Sequence, residues 1–374
     1  MAPSSAGRSR GYRLLARVAP VLAAALLGVT AFPSGAASAA GGAPAPASSP
    51  GGDLLPGTIP LPAITLPPPL PTIQLPPLTL PPIPGLIGGS APGGSAPAPS
   101  GIGAYQGLAG WIDLYDYGAA GEPSPAAYVS EMAARGVKTI YVETARWNST
   151  SDFDFATAVG LLIDAAHGQG LKVVGWYLPG FGDQATDLRR SLAVLTYTSP
   201  GGGHFDGFAA DIEDHGDTAS TGQFNAGIVA YAQALRAAVP AGTILGAFVP
   251  DAKNNERAPA HWAGFPWPQI AANFDVILPM AYWSVTKNPS TCLGTQLDVT
   301  AYMDQVIDTT DSLMGQSKPM APMGGIADCD TTREVSEYVG VLQAKGAIGG
   351  GLYDFPTLQA RPDASTLWSE LAGV

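Results

Sequence analysis

From residue 107 to the end of the chain, short apolar runs alternate with stretches in which apolar residues recur at helical spacing. Each run is followed by a polar or glycine-rich turn, and the unit occurs eight times. Short, nearly continuous apolar runs predict strands that are buried on both faces, as in parallel sheets. The predicted strands are Gly110–Asp113, Val137–Glu143, Leu171–Leu178, Phe205–Glu213, Thr243–Val249, Phe274–Tyr282, Pro319–Gly324 and Ala347–Tyr353. The predicted helices are Pro125–Arg135, Phe155–Gln169, Ala185–Leu195, Thr221–Val239, Trp267–Ala272, Leu297–Leu313, Thr331–Lys345 and Ala364–Leu371.

Eight strand–helix units predict an α/β protein with a single (β/α)8 TIM barrel, a fold that uses roughly 250 residues. Gly136, Gly170 and Gly346 follow predicted helices, where a left-handed C-cap residue is favoured. A doubly wound open sheet is the structural alternative. It is disfavoured because the glycines of Gly107–Gly110 precede the first strand, whereas a nucleotide-binding fingerprint follows it.

The first hundred residues differ from the rest in composition. Basic residues, the apolar run Val18–Phe32 and the small residues Ala37-Ser38-Ala39 predict a secretory signal peptide over residues 1–39. Residues 40–104 are rich in Pro, Gly and Ser, which predicts a linker that is disordered or in polyproline II conformation. The barrel is predicted to occupy residues 105–374. We therefore expect a secreted bacterial protein, extracellular or associated with the cell wall, with no membrane contact after signal cleavage.

The acidic balance of the chain limits its partners. The formal net charge is −12, and loss of residues 1–39 would leave 14 basic against 30 acidic residues. A surface of this sign repels nucleic acid and anionic lipid, so we expect neither as a partner and expect a monomer. Cys292 and Cys329 follow the sixth and seventh predicted strands, and export into an oxidising space predicts that they form a disulfide.

The fourth predicted strand ends in two carboxylates. Because alternate residues of a strand share a face, Ala209, Asp211 and Glu213 are predicted to point into the barrel. In barrels of this kind the chemistry lies at the C-terminal ends of the strands. Two neighbouring carboxylates repel each other, so the pKa of one is raised and that group can donate a proton near neutral pH. Such a proton donor is what cleavage of a glycosidic bond requires, and Glu213 is its predicted identity.

Polar and aromatic side chains also follow most of the other predicted strands. A sugar has an apolar face and a hydroxylated edge, so carboxylates beside aromatic rings are typical of a carbohydrate site. The predicted substrate-binding residues are Asp113, Glu143, Trp176, Tyr177, Asp251, Trp283, Asp328, Tyr353 and Asp354. The expected ligand is a polysaccharide or oligosaccharide. No cofactor is expected, and no metal, because the four histidines are scattered along the chain.

The segment Asp206-Gly-Phe-Ala-Ala-Asp-Ile-Glu213 resembles the DGxDxDxE strand of glycoside hydrolase family 18, the chitinase-like barrels. Met280-Ala-Tyr282 is similar to the sixth strand of that family. The resemblance implies that Glu213 is the acid/base and that Asp211 orients the N-acetyl group of the substrate. It also implies that Tyr282 hydrogen-bonds this group while its carbonyl attacks the anomeric carbon.

Departures from that pattern keep other interpretations open. Ala209 replaces the middle Asp of the motif, and Leu352-Tyr353 replaces the usual Trp of the last strand. A non-catalytic sugar-binding barrel is therefore one alternative, in which the carboxylates only accept hydrogen bonds. A second alternative is a different barrel glycosidase, which would pair Glu213 with Asp251, Asp328 or Glu143. A third is a metal-dependent hydrolase, which would use Asp211, Glu213, Asp214 and His215. The scattered histidines disfavour this third alternative.

Overall fold

The structure is a computed structural model that describes residues 101–252, 259–288, 290–294 and 297–374. The predicted signal peptide and all but the last four residues of the predicted linker lie outside the described residues. Eight strands close into a barrel in which each strand pairs in parallel with the next and the last pairs with the first. The predicted (β/α)8 barrel is confirmed.

The strands are β1 Gly107–Ile112, β2 Thr139–Arg146, β3 Lys172–Leu178, β4 Gly207–Asp211, β5 Leu245–Pro250, β6 Val276–Met280, β7 Met323–Ile326 and β8 Gly349–Tyr353. The helices are α1 Leu114–Tyr117, α2 Ala126–Ala134, α3 Ala156–Gly168, α4 Gln184–Leu195, α5 Thr221–Ala238, α6 Pro259–Trp262, α7 Trp267–Asn273, α8 Val299–Met314, α9 Thr332–Lys345, α10 Phe355–Gln359 and α11 Ala364–Leu371. Two 3-10 helices span Ile102–Tyr105 and Trp283–Thr286. Within the described ranges, no helix combines the length and the apolar character needed to cross a membrane.

All eight predicted strands and all eight predicted helices are present, although several boundaries differ by a few residues. The short helices α1, α6 and α10 and both 3-10 helices were not predicted. A helix of four or five residues has little more than one turn, so its apolar periodicity does not stand out from the sequence. The first 3-10 helix lies at the end of the segment predicted as linker, so regular secondary structure is already present before residue 105.

The alternation of side chains along the strands divides the apolar residues into two cores. Trp111, Tyr141, Ala209 and Phe248 belong to a cluster inside the barrel. Phe208 and its outward-facing counterparts belong to the cluster between the strands and the helices. The predicted orientation of β4 is therefore confirmed. It follows that Asp211, two residues beyond Ala209, is on the inner side.

Tyr105 joins the 3-10 helix before β1 to the beginning of β4. Its buried hydroxyl donates a hydrogen bond to the carbonyl of Phe208 at 2.8 Å and accepts one from the Phe208 amide at 3.2 Å. Glycines make room for the ring, since a Cβ at Gly246 would lie 2.8 Å from the Tyr105 ring and one at Gly207 would lie 2.9 Å from its hydroxyl. Tyr105 thus fills the N-terminal part of the barrel interior.

A disulfide connects two loops at the opposite, C-terminal end of the strands. It joins Cys292, after β6, to Cys329, after β7, with a Cα–Cα distance of 5.1 Å. The buried Lys287 supports the same connection, since its ammonium donates to the Cys329 carbonyl at 2.8 Å and to Glu334 at 2.5 Å. The predicted disulfide is confirmed, and it links two adjacent loops of the barrel.

We predict that Tyr105→Phe lowers the free energy of unfolding by about 1–3 kcal/mol, because a buried carbonyl loses its donor. Urea denaturation followed by circular dichroism would measure the change. Tyr197→Phe is the control, because it removes one hydrogen bond from a half-buried hydroxyl and should cost less. Equal stability of Tyr105→Phe and the parent protein would contradict the proposed role of the hydroxyl.

Candidate active site

A cavity that is partly open to solvent lies at the C-terminal ends of the strands. Every strand or the loop that follows it contributes to its lining. The lining residues are Trp111, Asp113, Tyr115, Glu143, Arg146, Trp176, Leu178, Asp211, Glu213, Phe248, Tyr282, Met323, Ile326 and Tyr353. The cavity therefore combines four carboxyl groups and one guanidinium with aromatic walls, a composition suited to a sugar ring.

Seven of the sequence-predicted site residues meet in this cavity. The three residues assigned to catalysis, Asp211, Glu213 and Tyr282, lie there together with four predicted substrate contacts. Those four are Asp113, Glu143, Trp176 and Tyr353.

Tyr177 and Trp283, which the sequence predicts as substrate contacts, do not line the cavity. Trp176 faces inwards, and its neighbour Tyr177 must face outwards, where its hydroxyl donates to Asp187 at 2.6 Å. Trp283 begins a 3-10 helix and packs against Tyr338, with ring centroids 5.3 Å apart. Tyr177 and Trp283 each adjoin an inward-facing residue in the sequence, Trp176 and Tyr282, but they pack in the outer core themselves.

Three predicted carboxylates also lie away from the cavity lining. Asp251 is buried and accepts a hydrogen bond from Tyr302 of α8 at 2.5 Å. Asp354 caps α10 by accepting from the Thr357 amide at 2.8 Å. Burial raises the pKa of Asp328 to about 6, but this residue sits beside the disulfide loop rather than in the cavity.

Glu143 is held by an ion pair within the cavity. Arg146 donates to both of its carboxylate oxygens, at 2.6 and 2.8 Å, and the Leu114 amide donates to Oε2 at 2.9 Å. Burial raises the pKa of Glu143, and Arg146 opposes this shift by favouring the carboxylate. Burial by itself would lower the pKa of Arg146, but Glu143 more than offsets it and keeps the guanidinium charged.

Asp113 is also occupied by its neighbours. The Tyr353 hydroxyl donates to Oδ2 at 2.5 Å and the Tyr115 amide donates to Oδ1 at 2.7 Å. Asp113 forms a capping box with Asp116 at the beginning of α1. Its carboxylate therefore positions α1 and Tyr353 at the edge of the cavity.

Asp211 and Glu213 have the least compensated carboxyl groups of the cavity. Burial raises the pKa of Asp211 well above its usual value, and Glu213 and Glu143 raise it further. Burial, followed by the charge of Asp214, raises the pKa of Glu213 from 4.5 to about 7, against the opposing effect of Arg146. Both shifts favour the protonated forms of Asp211 and Glu213.

Several buried polar atoms at the cavity have no hydrogen-bond partner within the described residues. They are Oδ1 of Asp211 and the indole N–H groups of Trp111 and Trp176. A buried polar group without a partner costs free energy, so these atoms are suited to a ligand that supplies both donors and acceptors. Tyr282 adds a weakly engaged hydroxyl, whose hydrogen bond within the described residues is to the Met323 sulfur at 3.4 Å.

Within the described residues, the side chains that a metal-dependent hydrolase would use (Asp211, Glu213, Asp214 and His215) are not among those close enough to share an ion. In the part of the chain that the structure describes, the carboxylates close enough to share an ion are Asp113, Asp116 and Asp354, with oxygens within 4.8 Å of one another. These residues cap α1 and α10, which accounts for their positions. His215 instead stacks on His261, with ring centroids 4.0 Å apart.

Sequence reasoning missed Trp111 and Tyr115 as cavity residues. Trp111 lies two residues before Asp113 on β1, so the alternation that was applied to β4 would have identified it. Tyr115 lies on the unpredicted helix α1, so the sequence offered no comparable signal.

Comparisons with solved structures agree with this fold. A family GH18 chitinase from Cycas revoluta, in complex with allosamidin, has a TM-score of 0.51 and 12% identity, covering 71% of this chain and 98% of that chain. A chitinase from Bacteroides thetaiotaomicron has a TM-score of 0.51 and 12% identity, and the match covers 72% of this chain and 97% of that chain. An endo-1,4-beta-mannanase from Rhizomucor miehei has a TM-score of 0.51 and 10% identity, and the match covers 71% of this chain and 94% of that chain.

These likenesses confirm the expected resemblance to family 18 barrels at the level of the fold. No protein-family model and no curated protein sequence matches the chain. The class that the fold defines is a (β/α)8 barrel, the architecture that this chain shares with these chitinases and the mannanase.

We predict that Glu213→Gln stabilises the protein above neutral pH. The folded pKa of about 7 exceeds the ordinary value of 4.5, so the folded state binds the proton more tightly and stability falls as pH rises between these values. Removing this carboxylate should raise the free energy of unfolding by roughly 2–3 kcal/mol at about pH 8 and by little at about pH 4. Urea denaturation at both pH values would measure the change in the free energy of unfolding. A gain of the same size at both pH values would contradict a raised pKa at Glu213.

Proposed function

We propose that this protein is a glycoside hydrolase in which Glu213 is the proton donor to the glycosidic oxygen. The observation that supports this most directly is a carboxyl group just beyond β4, inside the cavity, with a pKa of about 7. A general acid works best when its pKa is close to the working pH, because it is then both protonated and ready to donate.

Asp211 is the preferred partner of Glu213. Glu143 is committed to Arg146, while Asp251 and Asp328 lie away from the cavity lining. Asp211 lines the cavity, and its buried Oδ1 has no hydrogen-bond partner in the described ranges. Asp211 is therefore preferred over Glu143, Asp251 and Asp328, the three partners that the sequence left open.

The cavity suits substrate-assisted cleavage of an N-acetylated sugar. Asp211 Oδ1 would accept the N–H of the acetamide, and Tyr282 would donate to its carbonyl oxygen. Burial raises the pKa of Tyr282 well above its usual value, with Glu213 and Asp211 adding to the effect, so this hydroxyl remains a donor. The free N–H groups of Trp111 and Trp176 are further donors for substrate oxygens.

The reaction then has two steps. Glu213 gives its proton to the glycosidic oxygen, the bond from that oxygen to the anomeric carbon breaks, and the acetamide oxygen bonds to this carbon. Next, the Glu213 carboxylate takes a proton from water, whose oxygen attacks the anomeric carbon and displaces the acetamide oxygen. Glu213 ends protonated again, and the sugar retains its anomeric configuration.

The proposed place of action is outside the cell. The predicted signal peptide motivates this, and the disulfide between Cys292 and Cys329 supports it because disulfides persist in oxidising compartments. A polysaccharide that contains N-acetyl sugars, such as one of a cell wall or a chitin-like material, is the proposed substrate.

We predict that Glu213→Gln reduces turnover at least about a hundredfold while retaining glycan binding, because it removes the acid but keeps the shape of the side chain. Release of reducing ends from chitin oligomers, peptidoglycan and plant glycans would measure it. Asp328→Asn is the matched control, since it changes a carboxyl with a raised pKa outside the cavity and should leave turnover unchanged. Glycan binding without turnover by the parent protein would instead support a non-catalytic sugar-binding barrel.

We predict a loss of activity on the alkaline side of neutrality. Glu213 must be protonated to act, and its pKa is about 7, so kcat/KM should fall as pH rises above about 7. A pH–rate profile on a soluble oligosaccharide would show the descending limb. A profile that still rises at about pH 9 would rule out Glu213 as the acid.

A further inference from the structure

Tyr115 stands apart from the other aromatic residues of the cavity. Trp111 and Trp176 are 1% and 5% exposed, whereas Tyr115 lines the same cavity and is 38% exposed. A large aromatic side chain that is both exposed and part of a cavity wall is a common means of contacting a ligand.

Tyr115 is held in place from several directions. The Arg146 guanidinium carbon lies 4.2 Å from the centre of its ring, and Arg146 also donates to its hydroxyl at 2.5 Å. Its backbone amide donates to Asp113 at 2.7 Å. Arg146 is itself fixed by its two hydrogen bonds to Glu143, so the ring is supported by a rigid ion pair.

We propose that Tyr115, supported by Arg146, is a platform for a sugar unit of an extended glycan at the open side of the cavity. The inference rests on the proposed function and adds a second position of substrate contact to it. The apolar face of a sugar ring packs on an aromatic ring, and a ring that is already immobilised loses little conformational entropy on binding. Tyr115 therefore sets a preference for longer oligosaccharides.

The charge of the cavity restricts the sugar that fits there. Among the residues that the structure describes, the lining contains Asp113, Glu143, Asp211 and Glu213 but a single cation, Arg146, which is already paired. A carboxylated or sulfated sugar would meet an excess of negative charge. The unit that packs on Tyr115 is therefore uncharged, such as an N-acetylated or plain hexose.

The test compares binding of a dimer and a hexamer of N-acetylglucosamine by calorimetry, in the Glu213→Gln background so that no hydrolysis occurs. Adding Tyr115→Ala should weaken hexamer binding about tenfold and dimer binding by less than about twofold. Adding Tyr115→Phe should keep hexamer binding within about threefold, because the ring remains. Phe155→Ala is the control, an exposed aromatic side chain that does not line the cavity.

Equal weakening of both oligomers, or no change in either, would overturn the platform. A tenfold loss in Tyr115→Phe as well would also overturn it, because the effect would then belong to the hydroxyl. The result is separable from the proposed function. Turnover that depends on Glu213 without a chain-length effect rejects only the platform, and a chain-length effect in a protein without turnover rejects only the hydrolase.

Discussion

The ion pair between Arg146 and Glu143 decides which carboxyl groups of the cavity are available for chemistry. Arg146 is the single cation of the cavity lining within the described residues, and two hydrogen bonds commit it to Glu143. Among these residues Asp211 and Glu213 have no direct counter-ion, and burial raises the pKa of each. The same guanidinium supports the Tyr115 ring. One interaction thus separates a carboxylate that is held in an ion pair from two carboxyl groups whose pKa values are raised.

The barrel supports this arrangement by dividing its interior into a filled part and an open part. Tyr105, Tyr141 and Phe248 fill the barrel below, and the cavity begins where their packing ends. Keeping carboxyl groups without a counter-ion in such a place costs stability, because burial disfavours their charged forms. The two apolar cores and the closed ring of strand pairs stabilise the folded state and offset this cost.

The fold by itself does not decide the substrate. Two chitinases and a mannanase have comparable TM-scores to this chain, at identities of 10–12%. Unrelated chemistries share barrels of this kind, so function must be argued from the site. Here the proposed function rests on the raised pKa of Glu213, on the Asp211 Oδ1 that has no partner within the described residues, and on the aromatic walls around them.

The sequence by itself determined the eight strand–helix units, the barrel and the inward direction of Asp211 and Glu213, because strand periodicity is a local property that repeats every two residues. It also placed Cys292 and Cys329 in adjacent loops. Only the tertiary structure decided which rim residues meet in the cavity. The Tyr353 hydroxyl donates to the Asp113 carboxylate, which is 240 residues away in the sequence. Asp251 instead accepts a hydrogen bond from Tyr302 of α8, and Asp354 accepts one from the Thr357 amide of α10. Such contacts depend on how distant elements pack, and no periodicity along the chain records them.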